Sequence, residues 1–366
     1  MDIVNALKIE AETPFMVIDE DQTKKNISDM EKLASSNGKN LRPHSKTHKI
    51  PEIARWQIEA GAIGVCVQKV SEAEVMFNGG VQNILISNEI VDRRKTDRIA
   101  KLADAGCRIT VAVDSLYGAR NLSESAKYNN LEIPVLLDLD LGMNRCGIEP
   151  QMFDRFLESV KNIGSLTIDG IMAYDGNVHG STHVERTKSV KEESQVLEPI
   201  VSSFVKKKLG RNIISVGGTP SAEAWSKIDY VNELQPGTYV FYDLHCREMN
   251  LCSTSEISSG VVSQVMSKSE SGHGRIVLDA GYKSISIDQG VVPEVMNEDG
   301  IIGKVIAMSE EHTVVEPISN SLEIGEKVVM LTYHACTTTD YWDRAWMFSK
   351  SHMPLTICIQ GRGKRE

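Results

Sequence analysis

The sequence of 366 residues has no long apolar run, no block of like charge and no internal repeat. No uncharged apolar stretch approaches the roughly 20 residues of a membrane-spanning helix. The 50 acidic residues outnumber the 40 basic ones, which argues against a nucleic-acid-binding surface. The start carries Asp2, Glu10 and Glu12, unlike a secretory signal. Seven scattered cysteines are typical of reduced thiols. We expect a soluble, acidic, cytoplasmic protein without nucleic-acid or membrane partners.

Between about residues 37 and 245, short apolar runs alternate with longer segments of helical periodicity. The apolar runs are residues 41–46, 64–68, 83–87, 109–114, 135–141, 170–174, 213–217 and 239–242. Predicted helices include residues 51–60, 71–78, 92–105 and 184–209, with Pro51 at the first helical position and Ser71 as an N-cap. Eight strand–helix units in about 200 residues favour a (β/α)₈ TIM barrel. A doubly wound open sheet is the alternative.

After about residue 250, β-type runs separated by Gly, Asn and Ser replace this alternation. They span residues 261–266, 275–279, 304–309, 312–317, 327–331 and 355–359, with no long helix between them. We therefore expect an α/β protein with a (β/α)₈ barrel over residues 1–250 and a mostly β domain over residues 251–366. The amino-terminal segment is expected to contribute to the β domain.

The segment from Leu41 to Lys49 concentrates basic side chains. If it is a strand, Arg42, His44, Lys46 and His48 share one face, because alternate side chains of a strand point the same way. An anionic ligand such as a phosphate ester would offset their repulsion. A lysine among other cations also favours the free amine that reacts with a carbonyl group. A basic, solvated strand end explains the spacing equally well.

Two later segments place functional groups after apolar runs. Asp138 and Asp140 share a predicted strand face, and the following loop carries Arg145, where barrel enzymes keep functional groups. Taken alone, a structural Asp–Arg pair is the simpler interpretation. The glycine pair in residues 216–219 precedes a helix-like segment from Ser221, a pattern that suits a phosphate group. Ordinary turns use glycine in the same way.

Histidines and a cysteine provide the remaining candidates. His334 and Cys336, two residues apart, would face one side of a strand, and imidazole with thiolate suits Zn²⁺. An ordinary histidine beside a buried thiol is the alternative. His179 and His183 follow Tyr174 at the end of a predicted barrel strand. Either histidine belongs near a site or on a surface loop, and the surface is favoured for His183.

Taken together, these segments resemble the fold-type III pyridoxal-phosphate enzymes of the D-threonine aldolase and D-serine dehydratase family. The resemblance covers nearly the whole chain and runs through residues 42–49, 67–73, 86–89, 142–147, 217–219, 233–237 and 278–281. It implies an alanine-racemase-like barrel followed by a β domain. It also implies a homodimer in which the β domain of one subunit closes the barrel mouth of the other.

The resemblance implies a role for individual residues. Lys46 is the lysine that holds pyridoxal 5'-phosphate covalently, and Arg145 faces the pyridine nitrogen and keeps it unprotonated, which weakens the ring as an electron sink. The other implied cofactor contacts are His44, Tyr174, Gly217, Gly218, Thr219 and Tyr242. His334 and Cys336 match the metal ligands, with Zn²⁺ expected and Mn²⁺ or Mg²⁺ as alternatives.

Two departures from the family pattern bear on the reaction. Aldolases of the family carry histidine at the position of Asp175, so Asp175 or the nearby His179 is expected to replace it as the base at the substrate's β-hydroxyl. Aldolases also carry aspartate at the second metal-ligand position, whereas Cys336 matches the dehydratases.

The implied activity is that of a pyridoxal-phosphate- and divalent-metal-dependent lyase acting on D-β-hydroxy-amino acids. Retro-aldol cleavage to glycine and an aldehyde is placed first. Dehydration of D-serine or D-threo-3-hydroxyaspartate to a keto acid and ammonia is the alternative. An amino-acid racemase, a non-catalytic pyridoxal-phosphate-binding protein and a cofactor-free metal hydrolase are less favoured.

Overall fold

The computed structural model describes residues 3–178, 180–269, 275–318 and 322–366. The chain forms two compact units. A barrel unit contains Ser28–Lys46, Ile50–Gly237 and Lys364–Glu366, and a β unit contains Met1–Ile27, Thr47–Lys49 and Thr238–Gly363. Apart from Lys364–Glu366, the barrel unit ends at residue 237, before the expected boundary at 250, and the amino-terminal segment belongs to the β unit.

The strands are numbered in chain order. The β unit contributes β1 (Phe15–Asp19). The barrel unit contains β2 (Asn40–Leu41), β3 (Val65–Val67), β4 (Asn83–Ile86), β5 (Arg108–Val113), β6 (Ile133–Asp138), β7 (Leu166–Ala173), β8 (Ile213–Val216) and β9 (Glu233–Leu234). The later strands of the β unit are β10 (Ser259–Lys268), β11 (Ile276–Leu278), β12 (Glu294–Asn297), β13 (Gly300–Met308), β14 (Thr313–Pro317), β15 (Lys327–Leu331), β16 (Arg344–Phe348) and β17 (Leu355–Cys358).

Helices follow most of the barrel strands. They are α1 (Glu20–Ser36), α2 (Pro51–Glu59), α3 (Val70–Asn78), α4 (Arg93–Asp104), α5 (Leu116–Tyr128), α6 (Phe153–Lys161), α7 (His183–Lys206) and α8 (Ala222–Ser226), with the short α9 (Leu244–Glu248) and α10 (Ala335–Thr339) in the β unit. Short 3₁₀ turns span Ile3–Lys8, Pro150–Met152, Thr238–Val240 and Thr254–Glu256. Within the described ranges, no helix combines the length and apolar character that crossing a membrane requires.

The eight barrel strands form one parallel sheet in the order β2-β9-β8-β7-β6-β5-β4-β3. A parallel bridge between His44 and Cys66 joins the two outer strands, so the sheet closes on itself. One side chain from each of five consecutive strands fills part of the core, namely Cys66, Leu85, Ala112, Leu136 and Met172. Such inward layers are what a (β/α)₈ barrel requires. The predicted barrel is confirmed, and the open-sheet alternative is excluded.

The helix-start signals were partly informative. Pro51 occupies the first turn of α2 as predicted. Ser71, however, is not the N-cap of α3, because that helix already begins at Val70. The Glu72 carboxylate accepts the backbone N–H groups of Gln68 and Lys69 at 2.8 and 3.2 Å and caps this end instead.

The predicted strand at residues 239–242 was wrong. Residues Thr238–Val240 form a 3₁₀ turn, and the eighth barrel strand is Glu233–Leu234. The pattern hid this strand because one of its two residues is a glutamate. Glu233 is nonetheless buried, and its carboxylate pairs with Arg42 at 3.0 Å inside the barrel unit.

The β unit contains a closed antiparallel ring of six strands, β10-β11-β14-β13-β12-β15, because β10 pairs with both β11 and β15. The first half of β10 also pairs with β1, which continues the sheet through the parallel strand β16 to β17. Buried aliphatic side chains such as Val261, Leu278 and Val328 fill the ring. The predicted mostly β architecture is confirmed.

Candidate active site

A small cavity opens at the carboxyl ends of the barrel strands. Its lining residues follow or end six of the eight strands: His44, Lys46, Gln68, Ser87, Glu89, Asp138, Arg145, Met172, Tyr174 and Gln235. Larger clefts exist, for example around Arg108 and Arg211, but they lie where the barrel strands begin. Barrel enzymes have their active sites at the carboxyl ends. The smaller cavity is therefore the candidate active site.

Lys46 reaches this cavity from a turn and not from a strand, because β2 ends at Leu41. The His44 ring holds that turn: its Nδ1 accepts the Lys46 backbone N–H at 3.3 Å. Its Nε2 lies 3.3 Å from Gln68 Oε1 and 3.1 Å from Ser87 Oγ. An accepting Nδ1 places the proton of the neutral ring on Nε2. His44 thus connects the lysine turn to two neighbouring strands.

The Tyr174 ring lies close to both cations of the cavity. Lys46 Nζ lies 5.4 Å from the centre of this ring, and the Arg145 guanidinium carbon lies 5.2 Å from it. These distances are within the range of cation–π attraction. No described residue forms an ion pair with either cation. The site thus holds two positive groups around one aromatic ring, a setting that suits an anionic, planar ligand.

The expected single face of four basic side chains was wrong. A two-residue strand cannot align them, and each basic group has its own surroundings. Arg42 pairs with Glu233 and donates to Asn83 Oδ1 at 2.9 Å. His48 is fully buried and belongs with the β unit. Only His44 and Lys46 of this segment line the cavity.

The cavity contains two carboxyl groups, of which the sequence singled out Asp138 as a candidate but not Glu89. Asp138 ends β6, and burial, reinforced by the adjacent Glu89, raises its pKa well above the ordinary value. Glu89 Oε1 is buried with no hydrogen-bond partner among the residues that the structure describes. The available signal was positional, because both residues follow apolar runs at the ends of strands. Next to them, the loop with Arg145 is held by Asp140, which accepts the Gly142 and Asn144 N–H groups.

The glycine pair after β8 forms the expected tight turn. Gly217 has a left-handed backbone (φ +82°), which favours glycine. The Gly218 N–H donates to Ser221 Oγ at 2.9 Å, and Thr219 Oγ1 accepts the Gly237 N–H at 3.2 Å. A Cβ on Gly218 would lie 3.4 Å from the Tyr174 ring, so the turn adjoins the cavity wall. Tyr242, the other expected phosphate contact, belongs to the β unit.

Asp175 does not line the cavity. The residue is 3% exposed, and its Oδ2 accepts the Trp225 Nε1–H at 2.7 Å. Burial raises its pKa, although hydrogen bonds from Ser221 and Trp225 act in the opposite direction. This placement does not support the expected role of Asp175 as a base at the substrate. His179 lies outside the described residues, and its role stays a prediction. His183 is exposed beside Glu223, as predicted.

His334 and Cys336 come together in the β unit, but not on a strand. His334 precedes the short helix α10, and Cys336 lies in its first turn, because β15 already ends at Leu331. His334 Nδ1 lies 2.7 Å from Asp288 Oδ2, and the Cys336 thiol lies 3.2 Å from Thr47 Oγ1. Burial disfavours the charged imidazole, but Cys336 and Asp288 outweigh it and raise the pKa of His334 to about 9.

This pair provides two donors that suit a metal. With Nδ1 engaged by Asp288, the imidazole presents Nε2, and an imidazole with a thiolate is a donor set that Zn²⁺ accepts. In the described part of the chain, no cluster of three or more His, Cys, Asp and Glu side chains is suited to a metal ion. Water or substrate would have to complete the coordination.

Comparisons with known proteins match two successive parts of the chain to two family models. The model of the alanine racemase N-terminal domain matches residues 18–245, and that of the putative serine dehydratase domain matches residues 258–348. The chain belongs to the alanine-racemase-like family of D-threonine aldolases and D-serine dehydratases. It is therefore a pyridoxal-phosphate-dependent lyase of fold type III.

Individual family members are similar over nearly the whole chain. A 3-hydroxy-D-aspartate aldolase from Paracoccus denitrificans (strain Pd 1222) is 31% identical, covering 97% of this chain and 93% of the relative. A D-threonine aldolase from Arthrobacter sp. is 32% identical, covering 91% of this chain and 88% of the relative. The crystal structure of D-threonine aldolase from Filomicrobium marinum has a TM-score of 0.87 and 31% identity over 97% and 96%. A D-threo-3-hydroxyaspartate dehydratase from Delftia sp. (strain HT23) is 26% identical over 89% and 91%.

The residues of the barrel cavity fit the cofactor of this family. Pyridoxal phosphate needs an amine, a surface for its planar ring and a close backbone turn for its phosphate. Lys46, Tyr174 and the turn at Gly217 are groups of these three kinds. The unpaired cations suit its negative charge.

Proposed function

We propose that the protein cleaves D-β-hydroxy-amino acids by a retro-aldol reaction, giving glycine and an aldehyde. The observation that carries this proposal is the arrangement of Lys46 and Arg145 around the Tyr174 ring, at 5.4 and 5.2 Å. A lysine side chain and a guanidinium beside one aromatic ring suit a family that uses pyridoxal phosphate. The greater identity to two aldolases than to the dehydratase supports the reaction type.

Each cavity residue has a proposed task. Lys46 holds the cofactor and exchanges protons at the substrate's Cα, while His44 orients the lysine turn through the Lys46 N–H. Arg145 would hold the side of the cofactor that carries the pyridine nitrogen, and the turn of Gly217, Gly218 and Thr219 would hold the phosphate. When bound, pyridoxal phosphate withdraws electrons from the bond that breaks at Cα. Arg145 limits that withdrawal because a fixed cation disfavours protonation of the pyridine nitrogen.

Dehydration is the second candidate. It begins with removal of the Cα proton, which the amine of Lys46 is suited to accept, and it ends in loss of the β-hydroxyl group. Cys336 favours this reaction because the dehydratases of the family carry cysteine at this position. The two reactions differ in which bond at Cα breaks, so the products separate them directly.

We also propose a divalent metal, with Zn²⁺ as the first choice, held by His334 and Cys336. Bound metal acts as a Lewis acid that stabilises negative charge on a hydroxyl oxygen. The 2.7 Å contact between His334 and Asp288 supports this role because carboxylates orient metal-binding histidines in this way. The thiolate favours Zn²⁺ over Mn²⁺ and Mg²⁺.

By family resemblance we further propose a homodimer. Light scattering coupled to size-exclusion chromatography at working concentration is expected to give about twice the mass of one chain. A mass equal to that of one chain would contradict this proposal.

The central test measures the products and the attachment site together. The purified protein with pyridoxal phosphate and Zn²⁺ is incubated with D-threonine, D-serine and D-threo-3-hydroxyaspartate. Glycine with an aldehyde identifies an aldolase, and a keto acid with ammonia identifies a dehydratase. Borohydride reduction followed by peptide mapping is expected to find the pyridoxyl group on Lys46.

A matched pair of lysine variants controls this test. Lys46→Ala is expected to lose the visible absorbance of the bound cofactor and all turnover. Lys101→Ala, which changes an exposed lysine of α4, is expected to retain both. Cofactor absorbance that persists in Lys46→Ala would refute the assignment of the attachment site.

A further inference from the structure

Asp175 lies one residue beyond Tyr174 and faces away from the cavity. We infer that Asp175 is a positioning residue for the phosphate-binding turn, acting through Trp225 and not as a base at the substrate. The inference rests on the proposed function, which assigns the turn of residues 217–219 to the cofactor phosphate. It replaces the role expected for Asp175 from the sequence.

The first link is the hydrogen bond between Asp175 and Trp225. Trp225 Nε1–H donates to Asp175 Oδ2 at 2.7 Å, and the indole is fully buried. Tryptophan offers a single polar hydrogen, so a buried indole needs one acceptor. The carboxylate of Asp175 fills this need and thereby sets the orientation of the Trp225 ring.

The second link joins Trp225 to the turn. A Cβ on Gly217 would lie 3.2 Å from Trp225 Cδ1 and 3.5 Å from Ser221 Oγ, so the edge of the indole rests against the left-handed glycine. Ser221 Oγ accepts the Gly218 N–H at 2.9 Å, and the backbone N–H of Trp225 donates to the Ser221 carbonyl. A rotation of the indole therefore changes the surface against which Gly217 and Gly218 are packed.

The same arrangement reaches the aromatic wall of the cavity. A Cβ on Gly218 would lie 3.4 Å from Tyr174 Cε2, so little space separates this glycine from the ring, and Tyr174 directly precedes Asp175 in the chain. Asp175 thus ties the end of β7 to the turn after β8. The Asp175 carboxylate thereby sets the position of the Tyr174 ring relative to the phosphate-binding turn. Its role is to position these groups and not to transfer a proton.

The surroundings of Asp175 do not suit a base that meets substrate. Only 3% of the residue is exposed, and it is absent from the cavity lining. A second buried carboxyl, Glu193, lies close enough for the charge of Asp175 to affect its protonation. Asn177 Nδ2 donates to Glu193 Oε1 at 3.0 Å. Asp175 and Glu193 are thus both buried carboxyl groups, and of these three residues only Asn177 is exposed.

The test compares two cofactors that differ only in the phosphate. The dissociation constants of pyridoxal 5'-phosphate and of pyridoxal are measured by absorbance for the wild type, Asp175→Ala, Asp175→Asn and Trp225→Phe, each first freed of cofactor. Asp175→Ala and Trp225→Phe are expected to weaken pyridoxal-phosphate binding about 10-fold and to leave pyridoxal binding within 2-fold. Asp175→Asn is expected to remain within 3-fold for both, because an amide oxygen also accepts the indole N–H.

Trp342→Phe serves as the matched control because it removes a similar indole hydrogen bond, to the Ser284 carbonyl at 2.9 Å, in the β unit. It is expected to change neither constant. Equal weakening of both cofactors, or no weakening in Trp225→Phe, would overturn the inference. So would loss of kcat in Asp175→Asn with unchanged cofactor binding, the result expected of a catalytic base. If Asp175→Ala does not fold, Trp225→Phe decides alone.

Failure of the proposed function gives a different result. In that case the wild type itself binds neither cofactor, or binds them equally well in Lys46→Ala. Neither result resembles the one expected here, in which Asp175→Ala and Trp225→Phe bind pyridoxal phosphate more weakly but bind pyridoxal as well as the wild type does.

Discussion

His334 and Asp288 form a hydrogen-bonded pair in which Nδ1 and Oδ2 are 2.7 Å apart. The carboxylate is itself held by Ser286 Oγ, which donates to Oδ1 at 2.8 Å, and by Thr337 Oγ1, which donates to Oδ2 at 3.1 Å. A carboxylate fixed in this way selects the imidazole tautomer that presents Nε2. Asp288 therefore orients the histidine proposed as a metal ligand.

The first prediction concerns this pair. Asp288→Ala is expected to weaken Zn²⁺ binding by about 10- to 100-fold, because the imidazole loses the partner that fixes its tautomer and orientation. Competition with a chromophoric chelator measures the affinity without reference to activity. Asp343→Asn, which changes an exposed carboxylate of the same unit, is the control and is expected to have no effect. Unchanged affinity in Asp288→Ala would exclude the orienting role.

The second prediction concerns removal of the metal. Dialysis against a chelator is expected to abolish turnover while the visible absorbance of bound cofactor persists, and added Zn²⁺ is expected to restore turnover. Cys336→Ser is expected to weaken Zn²⁺ binding, since a hydroxyl is a much poorer ligand than a thiolate. Cys358→Ser, which changes an exposed thiol, is the comparison. Full turnover after metal removal would show that the reaction needs no metal.

The third prediction concerns pH and Glu193. Burial, with the negative charge of Asp175 adding to it, raises the pKa of Glu193 from 4.5 to about 8. Between these values the folded protein holds a proton that the unfolded chain has released. The free energy of unfolding therefore falls as pH rises through this window. Glu193→Gln removes this contribution. The loss of unfolding free energy between pH 5 and pH 8 is therefore expected to be smaller in this variant than in the wild type, by roughly 3 kcal/mol.

Urea unfolding at pH 5 and pH 8 measures this difference. Glu192→Gln provides the matched control, since Glu192 is the exposed neighbour of Glu193 on α7. It is expected to follow the wild type at both pH values. An identical pH dependence in Glu193→Gln and the wild type would contradict the assignment of the buried proton.

The fourth prediction concerns the ion pair inside the barrel. Arg42 Nε lies 3.0 Å from Glu233 Oε1, and both side chains are almost fully buried. Glu233→Gln leaves a buried guanidinium without its counter-ion and is expected to lower the free energy of unfolding by about 3–5 kcal/mol. The partly exposed pair of Arg98 and Glu74 is the comparison, and Glu74→Gln is expected to cost at most about 1 kcal/mol. Equal losses in the two variants would contradict this prediction.

The sequence predicted the barrel well because its strands are short apolar runs with helices between them. It failed where a strand carries a charge, since Glu233 is paired with an arginine that is distant in the chain. It also assigned a strand to Tyr239–Tyr242, a segment that is apolar and begins in a 3₁₀ turn. Local pattern reports burial, and a residue is buried in a turn as readily as in a strand.

The parts of the candidate site that depend on single residues in recognisable motifs could be predicted from the sequence. Lys46, Arg145, Tyr174 and the glycine turn were identified from motifs, and the first three line one cavity. The sequence indicated Asp138 but not that it meets Glu89, because this pairing depends on the packing of the ends of β4 and β6, which β5 separates in the sheet. The environment of Asp175 was missed for the same reason, since its partner Trp225 is 50 residues away in the chain.

By itself, the sequence determined the alternation of strands and helices, the change to β structure and the chemical types of the site residues. These depend on local periodicity and on side-chain chemistry. Only the tertiary structure decided which buried carboxyl groups meet, which nitrogen of His334 contacts Asp288 and that Asp175 is buried against Trp225. Such contacts join residues distant in the chain, and the packing of strands and loops, not their local pattern, sets the distances between them.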